Sequence, residues 1–347
     1  HGRSPWTLAV ALPKQPVAGS VGTLRLQSSL VGTALDLPPP LAKPAGDALP
    51  TTVQVGLPLG SGAIDVAFGE RLALRARQKD GRTGVRVKLG SATVDAEPPA
   101  SGLVVGGRTA SLDALEWISL AKGGGEDGLP LRGIDVLADE LRLLGGVFPE
   151  TRLRLRPVAQ GLEVDVAGPA LAGTVSVPDQ AGALVHGRFA RLHWQPPQAG
   201  TARAGATGGE AQAGVVDEAA AGVAPAAAAA DAGFDPAAIP PLAIDVDDLR
   251  FRDAALGRAL LRTRPVPGGL RLEQLQVQDG TQRIDATDEW LVQGDAARTH
   301  LALQVDSKDM GALMDGMGYR NWLARGEGQL RFDASWPGSP NRFTLAG

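Results

Sequence analysis

From Thr51 onward apolar residues fall at every second position: Val53, Val55, Leu57 and Leu59; Ile64, Val66 and Phe68; Leu72 and Leu74; Val85, Val87 and Leu89. Alternation of this kind marks strands with one buried and one wet face. Gly60-Ser-Gly62, Gly69-Glu-Arg71 and Lys79-Asp-Gly81 punctuate the runs as turns, so the stretch reads as an antiparallel meander. Two short strands are expected before it, around Trp6 to Leu12 and Gly22 to Leu30, with Pro38-Pro39-Pro40 as an extended connector. A second meander is predicted through Ile134–Leu144, Thr151–Arg156, Leu162–Ala167, Leu171–Val177 and Ala183–Trp194. A third runs through Leu242–Phe251, Ala259–Arg264, Leu270–Val277 and Arg283–Thr287 into the alternating Leu301, Leu303 and Val305. Gly326 to Trp336 alternates again, Pro337-Gly338-Ser339-Pro340 reads as a turn, and a last strand is expected around Phe343 and Leu345. The sequence ends inside that hairpin, as a fragment or incomplete domain would.

The period changes in two places. Met310, Leu313, Met314 and Met317 stand at i, i+3, i+4 and i+7 behind the capping candidates Ser307 and Asp309, and Gly316 and Gly318 suit the exit; this predicts a short helix over 307–317. A helix closing the end of a sheet explains the methionine stripe better than a pliable binding surface does. Ser111 to Ala121 is expected as another short helix, with Ser111 as its cap and Leu112, Leu115 and Ile118 on one side. Residues 198–237 differ from everything else, being dominated by Ala, Gly, Thr and Glu, with Ala226 to Ala230 unbroken. Such a stretch buries too little apolar area to offset its ordering entropy and reads as a disordered insertion. The chain is therefore read as all-β with two or so short helices. Its parts are 1–100, 101–197 (short helix plus second meander), the insertion 198–237, and 238–347.

Composition narrows the function. The 347 residues can bury a sizeable core, but aromatic residues make up only 4%, so Leu, Val and Ala must do the packing. A net charge of −4 lacks the electrostatic footprint of a nucleic-acid binder. With no cysteine there is no disulfide framework and no thiolate site. No apolar run reaches the roughly 18–20 residues that span a bilayer, and no signal peptide is visible; the sequence does not begin with Met, which leaves room for such a segment upstream.

Candidate chemistry is sparse. His186 and His193 lie seven apart on an expected strand and so point to opposite faces, which rules out a shared metal; His1 and His300 have no company. Ser119-Leu-Ala-Lys122 matches S-x-x-K, yet it sits at a helix end without the S-D-N or K-T-G that acyl-transfer enzymes add. The glycines at 106–107 and 123–125 lack the Gly-Lys-Ser/Thr of a phosphate loop. Asp245, Asp247 and Asp248, and Asp285, Asp288 and Glu289, could hold a cation or cleave a glycoside, but a solvated strand face accounts for such acids. The chain is expected to be no enzyme, with no cofactor and no metal. What remains is the apolar face itself, which must be covered by a second layer or curl around something apolar.

Several motifs bear on that choice. Asp306-Ser307, Asp309-Met310-Gly311 and Leu313, then Gly318-Tyr319, Gly326 to Gly328 with Leu330, and Ser335-Trp-Pro-Gly-Ser-Pro340 resemble the YhdP family of AsmA-like envelope proteins. Leu35-Asp-Leu-Pro38 through Pro44-Ala45 is similar to the same family, as are Gly102-Leu-Val-Val-Gly106, Leu112-Asp113 and Trp117. The resemblance implies a bacterial envelope protein, anchored in the inner membrane by a segment absent from this chain and projecting through the periplasm. It also implies a long curved sheet of the bridge-like lipid transfer kind, whose hydrophobic inside carries phospholipid acyl chains between inner and outer membranes. The candidate lining residues are Val53, Val55, Leu57, Ile64, Val66, Phe68, Leu72, Leu74, Leu301, Leu303 and Val305, and envelope proteins are expected as partners. The rival is a closed β-scaffold for protein docking; a weaker third reading is an envelope hydrolase using acidic residues.

Overall fold

The computed structural model describes residues 2–12, 22–35, 42–58, 62–114, 116–117, 129–143, 145–196, 239–291 and 298–337. The insertion 198–237, the Pro38-Pro39-Pro40 connector, the S-x-x-K pair and the strand expected around Phe343 lie outside these residues. The chain forms two compact units, His1–Asp179 and Gln180–Gly347, and both are nearly all β.

In the N-terminal unit the strands are β1 (Thr7–Ala11), β2 (Gly22–Ser28), β3 (Thr51–Leu57), β4 (Ala63–Phe68), β5 (Leu72–Lys79), β6 (Arg82–Leu89), β7 (Gly102–Asp113), β8 (Leu131–Leu143), β9 (Gly146–Val158), β10 (Gly161–Ala167) and β11 (Leu171–Pro178). Each pairs with the next in chain order. The C-terminal unit repeats the scheme with β12 (Val185–Trp194), β13 (Leu242–Phe251), β14 (Ala254–Val266), β15 (Gly269–Gln278), β16 (Gln282–Leu291), β17 (Arg298–Ser307) and β18 (Gly328–Pro337).

Three junctions depart from the expected antiparallel meander: β6 with β7, β7 with β8, and β12 with β13 pair in parallel. A tight hairpin cannot join parallel neighbours. At the first, residues 91–101 return across the polar side. Arg86 Nε donates to the Glu97 carbonyl at 2.8 Å, Lys88 reaches Asp95 at 3.2 Å, and Arg77 reaches Glu97 at 2.8 Å. The crossing lies so close that a Cβ on Gly84 would run into the carbonyl oxygen of Pro99. Gly102, with φ +85°, starts the next strand against the carbonyl of Pro130, where a side chain would meet both strain and collision.

The two expected helices fare differently. One forms as α1 (Met310–Gly316), capped by Asp309, whose carboxylate accepts from Ala312 N at 3.0 Å. Met310 and Leu313 are buried, α1 lies against β14 and β17, and Gly316 rests on Ala254, so this helix does close a sheet end. The Ser111 cap is wrong. β7 runs on through Ser111 to Asp113, and Asp113 takes the capping role by accepting from Glu116 N at 3.1 Å. Ala114, Glu116 and Trp117 are helical there.

If the Gly84 contact sets the crossing, Gly84→Val should cost about 1–3 kcal/mol of stability, the usual range for overpacking. Gly280, with open space around it, gives the comparison: Gly280→Ala should stay within about 0.5 kcal/mol. Urea midpoints of the two variants measure both.

Candidate functional site

Side chains in neighbouring strands that share a register position stand on the same face. Following one position across the N-terminal unit gives Leu8, Leu26, Val53, Val66, Leu74, Val87, Val105, Ile134, Leu155, Val164 and Val175. All eleven are aliphatic. Adjoining rows carry Val10, Leu24, Val55, Ile64, Ala76 and Val85 on one side, and Phe68, Leu72 and Leu89 on the other. In the C-terminal unit one row reads Phe189, Val246, Ala259, Val277, Ile284, Val305 and Leu330, and its neighbour Ile244, Leu261, Leu275, Ala286, Leu303 and Phe332.

Local irregularities preserve this face. In β15 an extra residue between Leu272 and Leu275 shifts the register against both neighbours, which keeps Leu270 and Leu272 aligned with Trp290 and Asp288. A plain alternation would have placed Glu273 and Arg271 there instead. A similar shift between Val246 and Leu249 keeps β13 in phase. The matching three-residue steps from Phe189 to Leu192 and from Val246 to Leu249 bring His186 and His193 to the same side. That corrects the expectation of opposite faces. Their separation of seven positions still amounts to roughly 23 Å of strand, too far for one metal.

Enclosure of the aliphatic face is graded. At its β1 edge Leu8 is 60% exposed and Val10 53%, and Ile64 on β4 is 41% exposed. Toward β7, β8 and β9, Leu112, Val136, Phe148 and Leu155 are wholly buried. Of the sequence-predicted residues, Val53, Val55, Leu57, Ile64, Val66, Phe68, Leu72 and Leu74 share the face of the N-terminal unit. Leu301, Leu303 and Val305 share that of the C-terminal unit.

The opposite face is polar and tied by cross-strand ion pairs: Asp65 with Arg75 at 2.6 Å, Asp135 with Arg152 at 2.5 Å, Arg156 with Glu163 and Asp165 at 2.5 and 2.9 Å, Arg262 with Asp245 at 2.7 Å, and Arg271 with Glu289 at 2.5 Å. The hydrogen bond from Arg152 holds the Asp135 carboxyl below its usual range, and Arg271 does the same for Glu289. His193 meets Asp248 at 2.7 Å and His300 meets Asp333 at 3.1 Å. Clefts of 590 and 490 Å³ lie mainly on this polar side, one beside Asp65 and Arg75, the other beside Asp285, Ala302 and Arg331. Among the described residues beside them, Asp65, Asp285 and Asp333 are engaged by Arg75, Arg283 and His300.

One acid breaks the rule. Asp288 occupies a register position of the aliphatic face, between Leu272 on β15 and Leu301 on β17. It is the only charged residue at such a position in β13–β18 among the described residues. Its Oδ1 is closed off from solvent without a hydrogen-bond partner. Burial pushes the carboxyl above its usual range and the Glu289 charge adds to this, while the Glu289 N–H and nearby His300 oppose it. Sequence reading grouped Asp285, Asp288 and Glu289 as neighbours on a wet strand. The usable signal was parity: Ile284, Ala286, Asp288 and Trp290 alternate, and Asp285 belongs to the other face.

The sequence profile of the family described as YhdP protein matches residues 1–347. No curated protein and no solved structure matches the chain. Among the described residues no helix is long and apolar enough to cross a membrane.

The two unusual carboxyls have opposite pH signatures. For Asp288, whose folded pKa is raised, stability is full at acid pH and is lost as pH rises from the ordinary carboxylate value of about 3.9 through the folded value. Asp288→Leu should therefore stabilise the protein at neutral pH by about 1–3 kcal/mol, the cost of an unsatisfied buried acceptor, with the gain shrinking toward pH 4. For Asp135 the stabilisation is present above the ordinary value and is lost as pH falls through the lowered folded one. Asp135→Asn should lower Tm at neutral pH and leave it unchanged in acid. Thermal unfolding of the three proteins across pH checks both signs.

Proposed function

This chain belongs to the YhdP family of bacterial envelope proteins, and from that premise we propose that its aliphatic faces are sections of a hydrophobic track carrying phospholipids across the periplasm between inner and outer membranes. The observation that carries this reading is the unbroken row from Leu8 to Val175. At about 4.8 Å per strand spacing the row is roughly 48 Å long, more than the ~30 Å hydrocarbon core of a bilayer. An acyl chain lying along it avoids about 0.8 kcal/mol of hydration penalty per methylene. Along β1–β5, the more open part of the row, successive strands offer an acyl chain similar aliphatic contacts, so it can diffuse there without meeting a deep well. No bond is made or broken, so the protein acts without catalytic residues, cofactor or metal. The lining is Val53, Val55, Leu57, Ile64, Val66, Phe68, Leu72 and Leu74 in one unit and Leu301, Leu303 and Val305 in the other. Other envelope proteins are the natural partners.

One observation favours the closed-scaffold reading for part of the sheet. Val136, Leu141, Phe148 and Leu155 show no exposure, as dry core would, so β7–β9 serve as a structural brace while β1–β5 present the accessible stretch.

Native mass spectrometry with lipid extraction tests the track. Protein purified from bacterial cells should carry phospholipid, and the double variant Val55→Asp, Val66→Asp should lose it while circular dichroism stays that of a β protein. Folded, lipid-free wild-type protein that takes up no added phospholipid would sink the proposal.

A further inference from the structure

Asp288 is costly where it stands. A carboxyl among Leu272, Leu301, Ala286 and Trp290 contributes nothing to an aliphatic face, and a residue that breaks the local rule without a structural return points to a ligand. Its Oδ1 can be satisfied by a bound cationic donor. Among the described residues no cationic side chain stands at the register positions of β13–β18 on this face; the donors of the adjoining row, on Trp290, Thr299 and Trp336, are neutral. A proton would neutralise the charge and still leave that oxygen without a donor.

Place in the sheet says what the donor belongs to. Asp288 lies three residues from the end of β16 at Leu291. The row beyond it, toward the strand end, is Leu270, Trp290, Thr299 and Trp336, a composition suited to the boundary between apolar and polar surroundings. The rows on its other side are aliphatic: Leu275, Ala286, Leu303 and Phe332, then Val277, Ile284, Val305 and Leu330. A molecule with acyl chains over those rows would have its polar end beside Asp288, toward the Leu291 end of β16.

We propose that Asp288 is a headgroup-reading site, pairing with the primary ammonium of an amine-bearing phospholipid whose chains lie on the aliphatic rows of the C-terminal unit. This rests on the track reading above. An N–H donated to Oδ1 satisfies the orphaned acceptor and neutralises the charge together, which a quaternary ammonium, having no N–H, does only in part.

The test loads the full chain from mixed vesicles of phosphatidylethanolamine and phosphatidylcholine with matched acyl chains, and reads the bound ratio by native mass spectrometry. The wild type should favour the primary amine roughly tenfold, the scale of one hydrogen bond to a charged group. Asp288→Asn should bring the ratio to about one with total lipid retained and the melting temperature no lower than that of the wild type, and Asp288→Glu should restore part of the preference. A preference that survives in Asp288→Asn overturns the assignment of Asp288 and leaves the track standing. Wild-type protein that loads neither lipid overturns both. Water-soluble phosphoethanolamine should fail to compete; competition equal to that of the lipid would overturn a lipid as the source of the ammonium.

Discussion

Every strand in these sheets has to agree with its neighbour about which face is aliphatic. Side chains alternate with a period of two, so a slip of one residue at any junction would turn all later aliphatic positions outward. The row from Leu8 to Val175 satisfies this at ten successive junctions, seven or more of them between strands of differing length. Where the sequence falls out of phase the backbone absorbs the extra residue in a bulge, as between Leu272 and Leu275. The charged face follows from the same constraint. Arg75 meets Asp65, and Arg152 meets Asp135, because the aliphatic partners on the reverse side fix their register. Such half-exposed pairs add little stability each, and the same register also sets Arg75 opposite Arg86 and Arg264 opposite Arg271, so the aliphatic face rather than the charges fixes the pairing.

Much of this was legible in the chain. The strands at Val53, Ile64, Leu72 and Val85 announce themselves by strict alternation, and the structure places their ends within a residue or two of the turns that Gly and Asp mark. The helix at Met310 was legible because its period differs from everything around it. Strand direction was not. Alternation is identical in parallel and antiparallel pairs, so the parallel joins before and after β7 and between β12 and β13 leave no trace in the pattern. The Ser111 cap failed because Leu112, which keeps helical spacing with Leu115 and Ile118, is the penultimate residue of a strand, and the helical turn begins only at Ala114.

The candidate site was legible as a set of residues and hidden as a surface. Alternation placed Val66 and Leu74 on the apolar face of their strands, but only the register shows that they adjoin Val87 and Val105 in one row. Asp288 shows the complementary limit. Its chemistry is that of its neighbours Asp285 and Glu289 in sequence, and only its parity separates a salt-bridged surface acid from an orphaned one.

The parallel joins have a consequence for how such a protein can vary. In a hairpin, loop length and strand register are coupled, so inserting residues risks shifting the ladder. Where the chain must already travel back along a strand before re-entering the sheet, added length changes only the closure entropy, by about 0.6 kcal/mol for each doubling. The span from Trp194 to Leu242, which contains the Ala/Gly-rich stretch, falls at such a join. Sequence drift and domain acquisition can therefore accumulate at these few crossings while the rungs on either side keep their partners.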